Sequence, residues 1–284
     1  MEKINLNKEL IIVLKTFNKY HDKSYRKDIS ELIHYDAVTE AIYNTDANKL
    51  MVIPNNHHYD IADSMQSFTQ CNNINYVFYS KYSKTCDIVL NDNQLNAMLN
   101  NNCCVDSYSY NLSYPDLSQL KFKFNLTMDL DVYTRDRIYN KLTIINKVIK
   151  EYNVRRRLLK LPEYDIKKAY IVFKAVTEVE TKLSASIEFP DMDDESKKEC
   201  FDVTKIGFNC LNLIDDYTVF YDNLNFKVTY NFLQLLVCFE ALKKLDRDSN
   251  IRLLFDTNHK DTSPIKLELN NEAYILLMPI RINN

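Results

Sequence analysis

The chain has 284 residues, of which 46% are hydrophobic and 26% are charged, and its formal net charge is −3. That length and apolar content suffice for two domains of ordinary size. The one glycine, Gly207, excludes the glycine-rich loops that cradle nucleotide phosphates, because those loops need several residues without a Cβ. A small negative charge gives no overall attraction to nucleic acid, so any DNA contact must come from basic residues gathered on one surface.

The seven cysteines and five histidines include no CxxC pair and no histidine partner at the spacing of a zinc site. We therefore expect reduced cysteines, no metal and no cofactor. No run approaches the ~20 apolar residues of a membrane span. This pattern is typical of a soluble intracellular protein with no membrane partner.

The first half begins with a predicted amphipathic helix over residues 4–20, in which Leu10, Leu14 and Phe17 share one face. After residue 29, short apolar runs bounded by polar turns predict strands, with a short helix at Asp60–Phe68. The predicted strands are Glu40–Tyr43, Leu50–Ile53, Tyr76–Tyr79, Asp87–Leu90 and Tyr108–Tyr114.

The second half repeats this order, starting with a strand at Phe122–Met128 and a long amphipathic helix at Thr134–Tyr152. A further helix is predicted at Phe232–Leu245. The remaining predicted strands are Ala169–Val176, Lys182–Phe189, Cys200–Phe208, Tyr217–Val228, Ile251–Phe255, Ile265–Leu269 and Ala273–Ile282. Short connections between strands favour antiparallel sheets, so the predicted fold class is α+β.

This element order resembles the clamp superfamily that includes proliferating cell nuclear antigen, in which each domain repeats a strand, helix, strands, helix, strands order. Within it, Asn111–Leu120 and Asn250–Asp256 are most similar to two segments of the Rad-nine subunit of the heterotrimeric DNA-damage checkpoint clamp, or nine-one-one complex. Members of that type usually continue into a long phosphorylated tail, whereas this sequence ends at Asn284. Recruitment of partners through such a tail is therefore not expected.

The resemblance implies two clamp-fold domains, 1–114 and 122–284, joined by a linker at 115–121, with basic helices lining one concave face. It also implies a non-catalytic subunit of a nuclear ring that encircles duplex DNA of any sequence and recruits repair and signalling partners. Its assembly partners would be two related clamp subunits and an ATP-driven clamp loader. Two alternatives remain: a homotrimeric replicative processivity clamp, and a structural or interaction protein that binds no DNA.

In the clamp interpretation, cationic side chains on the helices contact phosphates without reading bases. Taken singly, each of these residues also fits the solvated face of an ordinary amphipathic helix. The predicted DNA-facing residues are Lys8, Lys15, Lys19, Arg135, Arg137, Lys141, Lys147, Lys150, Lys243 and Lys244. The basic run Arg155–Arg157 with Lys160 is compatible with DNA contact, a loader contact, a nuclear import signal, or a helix end that complements the dipole.

Family members also form a pocket for short partner peptides under the interdomain linker. The resemblance assigns Leu117, Leu120, Pro279 and Ile280 to that pocket, with core packing as the alternative. The acidic pairs of the sequence, such as Asp129 with Asp131, lack a histidine at ligand spacing and are interpreted as turns. We therefore expect no enzymatic activity.

Overall fold

The computed structural model describes residues 2–5, 8–20, 32–36, 41–54, 76–79, 85–89, 120–177, 180–202, 211–219, 224–259, 262–270 and 272–280. The strands are β1 Glu2–Asn5, β2 Leu32–Asp36, β3 Ala41–Thr45, β4 Lys49–Pro54, β5 Tyr76–Tyr79, β6 Thr85–Val89, β7 Leu126–Leu130, β8 Tyr170–Thr177, β9 Thr181–Glu188, β10 Asn212–Val219, β11 Asn225–Asn231, β12 Ile251–Phe255, β13 Ile265–Leu269 and β14 Tyr274–Leu277. The helices are α1 Lys8–Phe17, α2 Val132–Leu158, α3 Asp194–Asp202 and α4 Phe232–Leu245. The predicted helix Asp60–Phe68 and strand Tyr108–Tyr114 lie outside the described residues.

The chain groups into two compact units. Unit 1 comprises Met1–Lys121, Glu240–Asp248 and Leu267–Leu276, and unit 2 comprises Phe122–Phe239, Ser249–Lys266 and Leu277–Asn284. Because the units interleave along the chain, the division into domains at 1–114 and 122–284 with a linker at 115–121 stays a prediction.

In unit 1 the strand pairs β1–β5, β2–β3, β2–β6 and β3–β4 are all antiparallel. In the hairpin that joins β3 to β4, the Asp46 carboxylate accepts hydrogen bonds from the backbone N–H groups of Asn48 and Lys49 at 3.0 and 2.9 Å. The sequence prediction extended the first helix back to residue 4, whereas residues 2–5 form β1 and α1 begins at Lys8.

The end of α1 is held by a buried lysine. Lys49, the first residue of β4, is only 2% exposed. Its Nζ donates hydrogen bonds to the backbone carbonyls of Phe17 at 2.6 Å and Lys19 at 3.0 Å, and lies 4.6 Å from the centroid of the Phe17 ring. A helix C-terminus leaves carbonyls without helical partners and carries partial negative charge. The ammonium therefore fixes the end of α1 on the β3–β4 hairpin.

In unit 2, strands β10, β9, β8 and β11 form an antiparallel sheet in that order, and β7 pairs antiparallel with β12. Aromatic rings pack between these strands. The ring centroid of Phe255 in β12 lies 5.2 Å from that of Phe173 in β8 and 5.5 Å from that of Phe226 in β11. Both units thus combine helices with antiparallel strands, which confirms the α+β class.

Helix α2 buries the stripe predicted from its periodicity, formed by Ile138, Leu142, Ile145, Ile149 and Tyr152. At its start the Asp131 carboxylate accepts a hydrogen bond from the Thr134 N–H at 2.7 Å, as an N-cap residue does. Hydrogen bonds from Thr134, together with the nearby charge of Arg137, lower the pKa of Asp131.

The end of α2 has the two hydrogen bonds of a Schellman motif. The Leu161 N–H donates to the Arg156 carbonyl at 2.8 Å, and the Lys160 N–H to the Arg157 carbonyl at 3.1 Å. Lys160 itself has φ 57°, in the left-handed region where glycine is usual at this position.

Two strand predictions in unit 2 need correction. The predicted strand Cys200–Phe208 is wrong at its first three residues, which belong to α3, and its remainder, 203–208, lies outside the described residues. The acidic residues before it, interpreted as a turn, cap this helix, since Asp193 accepts the Ser196 N–H at 2.7 Å. The predicted strand Tyr217–Val228 is two strands, β10 and β11. In contrast, the predicted bounds of α4, β12 and β13 are confirmed.

Candidate nucleic-acid interface

Two helices far apart in sequence bring basic side chains together in unit 1. Lys19, just after α1, and Lys244, near the end of α4, each place Nζ 2.9 Å from Oε1 of Glu240. Lys244 Nζ also donates to Oγ1 of Thr16 in α1 at 2.9 Å, across 228 positions of sequence. We call Lys19, Glu240 and Lys244 the lysine–glutamate cluster. Two cations share one carboxylate, so the cluster keeps one net positive charge.

The carboxylate of this cluster is ionised. Burial of Glu240 acts to raise its pKa, but the hydrogen bonds from Lys19 and Lys244 outweigh burial, and the pKa is lowered. The ionised carboxylate therefore holds both ammonium groups in place. It also competes with any phosphate that approaches them.

The other predicted DNA-facing residues of unit 1 lie on the same two helices. Lys15 of α1 and Lys243 of α4 are partly exposed. Lys8 is the first residue of α1, and its side chain is outside the described set. Only tertiary structure shows that α1 and the end of α4 are neighbours.

In unit 2, Arg137, Lys147 and Lys150 lie on the exposed side of α2. Lys147 Nζ is 3.9 Å from Glu151 Oε1, and both side chains are largely exposed, so this ion pair holds the lysine weakly. Lys141 is partly exposed, and its Nζ donates to the backbone carbonyl of Asn212 in β10. Of the predicted DNA-facing residues on α2, three are thus exposed cations and a fourth, Lys141, is partly engaged.

Arg135 was predicted to face DNA, and the structure contradicts this, because its side chain is 0% exposed. Its Nη1 donates to the Ser249 carbonyl at 2.5 Å, and its Nη2 lies 3.1 Å from Oδ1 of Asp136. Arg135 precedes Ile138 by three residues and Leu142 by seven, which is the spacing of one helical face. The spacing of Arg135 along the helix thus indicates the buried face of α2, whereas its charge favours the exposed face.

Two arginines of the basic run hold the turn after α2. Arg157 makes two hydrogen bonds to the Glu163 carboxylate, at 2.8 and 2.7 Å. Arg156 donates from Nε to the Pro162 carbonyl at 2.5 Å and from Nη1 to the Tyr152 hydroxyl at 3.0 Å. These contacts give both residues a structural role, and the suggested contacts of the run with DNA or a loader stay predictions.

The residues assigned to a partner-peptide pocket are only partly described. Leu117 lies outside the described residues, Leu120 is exposed, and Pro279 and Ile280 are partly exposed. The Ile280 N–H donates to the Thr229 carbonyl at 2.9 Å. The pocket itself stays a prediction.

One side-chain group in unit 2 was not predicted. The Asp256 carboxylate accepts hydrogen bonds from the ring Nδ1 of His259 and from Oγ of Ser263, both at 3.0 Å. Histidine and serine both bond the carboxylate, so the histidine is not placed between them as a nucleophilic triad requires. In the described part, no three His, Cys, Asp or Glu residues are placed to hold a metal ion, and no helix is long and apolar enough to cross a membrane.

Asp256 instead stabilises its loop, and this role gives a pH-dependent prediction. Burial acts to raise its pKa, but the hydrogen bonds from His259, Ser263 and the backbone outweigh burial and lower it below the ordinary 3.8. A carboxylate whose pKa is depressed on folding stabilises the protein above its unfolded pKa, and this stabilisation is lost as the pH falls through the folded value. We expect Asp256→Asn to lose about 1–2 kcal/mol at pH 7.

The test is urea unfolding of wild type and Asp256→Asn between pH 7 and pH 2. The difference in free energy of unfolding between the two proteins should shrink as the pH falls below the ordinary pKa of 3.8. Protonation then removes the negative charge of wild-type Asp256, and the asparagine variant lacks that charge at every pH. A difference that stays constant with pH would show that ionisation of Asp256 does not contribute. Asp129→Asn, at an exposed position on β7, serves as the control.

No protein-family model and no curated protein matches the sequence. The fold, in contrast, matches solved structures of sliding clamps. A Helicobacter pylori β clamp bound to a DNA ligase peptide aligns with TM-score 0.53 at 11% identity, covering 99% of this chain. The β subunit from DNA polymerase of Streptococcus pyogenes aligns with TM-score 0.54 at 11% identity over 99%, and the β subunit of DNA polymerase III from Thermotoga maritima with TM-score 0.55 at 10% identity over 100%. The chain spans 66% of the length of each. At such low identity the likeness concerns the fold alone, and the chain has the sliding-clamp fold.

Proposed function

We propose that the protein is a non-catalytic subunit of a DNA sliding clamp, which encircles duplex DNA and holds partner proteins near it. The observation that carries the proposal is the lysine–glutamate cluster on a clamp fold. The lysine–glutamate cluster joins the basic ends of α1 and α4, and these helices are predicted to line the DNA-facing surface. Such a surface acts by charge and shape, so no bond is made or broken.

The proposed DNA contacts are sequence-independent, because ammonium and guanidinium groups on helices meet phosphates rather than base edges. Arg135 is removed from the set because it is buried. The remaining candidates are Lys8, Lys15, Lys19, Lys243 and Lys244 in unit 1, and Arg137, Lys141, Lys147 and Lys150 in unit 2.

The test uses the protein together with any chains that co-purify with it, and an ATP-driven loader where one accompanies them. We expect the complex to stay on closed circular duplex DNA through a high-salt wash and to leave after the circle is linearised, because a ring is retained by topology and slides off free ends. Binding that depends only on salt, equal on circles and linear duplexes, would contradict encirclement. No binding at all would favour a structural or interaction protein.

For the finer assignment we favour the heterotrimeric DNA-damage checkpoint clamp. Support comes from the sequence similarity of Asn111–Leu120 and Asn250–Asp256 to the Rad-nine subunit. This assignment includes two related subunits in the ring, an ATP-driven loader, nuclear localisation, and repair or signalling partners. Co-purification with two related chains tests it.

A homotrimeric replicative processivity clamp is the second candidate, and two of the solved clamps named above are themselves β subunits of DNA polymerases. A homotrimer requires the two ends of one chain to be complementary, whereas a heterotrimer subunit needs different neighbours. Mass measurement of the purified chain separates the two: a stable trimer supports the replicative clamp, and a monomer supports the checkpoint clamp.

A further inference from the structure

A cleft of about 200 Å³ lies in unit 2, at the turn that follows α2. Its walls come from the last turns of α2, from residues 162–168 and from residues 191–196. Apart from Arg156 of the basic run, none of the residues predicted to contact DNA or to form the peptide pocket lines it. The proposed clamp function therefore leaves this cleft without a role.

The size of the cleft suits one long side chain. Sites for drug-sized ligands usually have about 300–1,000 Å³, so this volume is too small for a nucleotide or a large cofactor. Tyr152 and Met192, both buried, and Pro162 give it apolar wall surface. Methylene stems of long basic side chains pack well along such walls while their charged ends stay at polar groups.

The charged lining offers acceptors to a cation. The carboxylates of Glu163, Asp165 and Asp191 and the cations Arg156 and Lys168 line the cleft, and Arg157 balances the charge of Glu163 from outside the lining. Glu163 has both oxygens engaged by Arg157. Asp165 and Asp191 each have one oxygen engaged, by the Lys167 N–H and by Lys168 Nζ respectively. Each therefore retains one oxygen that has no hydrogen bond within the described part of the chain.

A buried hydroxyl also lacks a partner here. Tyr164 lines the cleft and is 9% exposed, and its hydroxyl has no hydrogen bond among the described residues. Burial first, and then the charges of Asp191 and Asp165, raise the pKa of Tyr164, so the hydroxyl lies within the field of both carboxylates. An unpaired buried hydroxyl is costly, and a donor from a ligand would remove that cost.

We propose that this cleft binds the side chain of an arginine from an extended peptide of a partner protein. Its guanidinium would donate to Asp165, Asp191 and the hydroxyl of Tyr164. Arginine fits better than lysine because its planar group offers five donors in a fixed geometry to several acceptors. The ion pair between Lys168 and Asp191 does not prevent arginine from binding, because the two side chains are 58% and 50% exposed and ion pairs between exposed side chains are weak.

The probe is a fluorescently labelled alanine-rich nonapeptide with one central arginine, tested by anisotropy on the full chain. We expect replacement of arginine by neutral citrulline to weaken binding about tenfold, because charge-assisted hydrogen bonds become neutral ones. The same peptide with glutamate should not bind. Absence of binding by the arginine peptide at millimolar protein, or equal binding of the three peptides, would overturn the proposal.

Variants of the protein test the site. We expect Asp165→Asn and Asp191→Asn each to weaken binding of the arginine peptide about tenfold. The matched control is Asp194→Asn, which removes the same charge at a 95% exposed side chain that does not line the cleft. If the control weakens binding as much as the other two, the effect is one of general charge and the proposal fails.

Tyr164→Phe separates a ligand role from a structural one. Removing an unpaired buried hydroxyl should leave thermal stability unchanged or higher, while affinity for the arginine peptide falls about threefold or more. Unchanged affinity would remove Tyr164 from the site. Free agmatine carries the same guanidinium without a peptide, and if it bound more tightly than the peptide, the ligand would be a small amine rather than a protein. None of these measurements requires DNA, so they stand apart from the clamp proposal.

Discussion

Replacing Lys49 with methionine is expected to lower the free energy of unfolding by about 2–4 kcal/mol. Methionine keeps most of the apolar stem but removes the ammonium that bonds the carbonyls of Phe17 and Lys19. These carbonyls belong to the backbone and cannot be replaced by an apolar group, so they stay buried or half-buried without their donor. The measurement is equilibrium unfolding in urea, followed by circular dichroism.

The matched control is Lys227→Met, which makes the same change at an exposed position of β11. We expect this control to stay within about 0.5 kcal/mol of wild type. Equal stability of the two variants would mean that Lys49 does not fix the end of α1. Hydrogen exchange of the α1 amides adds a local measure, because exchange should accelerate there first in Lys49→Met.

Replacing Glu240 with glutamine is expected to raise affinity for duplex DNA by about three- to tenfold at 50 mM salt. The carboxylate now holds both Lys19 and Lys244 at 2.9 Å; its removal releases Lys19 and leaves Lys244 held only by the neutral hydroxyl of Thr16, so both charges become available to phosphate. The slope of log affinity against log salt should steepen by about 1–2, since each further phosphate contact releases about one counterion. Anisotropy with a labelled duplex between 50 and 200 mM salt measures both quantities.

Glu199→Gln controls for net charge, because it removes one negative charge from exposed α3 in unit 2. Its effect on affinity should be small. If Glu240→Gln binds DNA no better than wild type while remaining folded, the lysine–glutamate cluster does not face DNA. In that case the clamp proposal would rest on α2 and on the fold alone.

Much of the fold could be predicted from the sequence in segments where the hydrophobic residues follow one clear periodicity, either that of a helix or that of a strand. The bounds of α4, β12 and β13 match the prediction, because α4 and β12 are mostly apolar, β13 alternates apolar and charged residues, and all three are followed by polar residues. The helix α3 was missed because its first turn consists of acidic residues, which are as typical of turns as of helix N-termini. Strand β2 was not predicted, and its residues gave no clear alternation.

The candidate site was less predictable, because the environment of a charge depends on contacts between distant segments. Lys19 and Glu240 are separated by 221 positions, so no local pattern could reveal their pairing. Arg135 shows the opposite case, since its spacing already placed it on the buried face of α2. A buried arginine is stable there because a carbonyl and a carboxylate receive its donors.

The scarcity of glycine has a consequence for heat tolerance. Besides Lys160, the residues Tyr20, Ala47 and Asn270 also have positive φ, between 45° and 70°. Each such residue costs about 1–2 kcal/mol relative to an ordinary backbone conformation, less for asparagine. Together these costs approach the whole net stability of a marginal domain, about 5 kcal/mol. The backbone of this chain therefore carries a cost that glycine at these positions would avoid, and those four turns are where a more heat-resistant variant is expected to differ first.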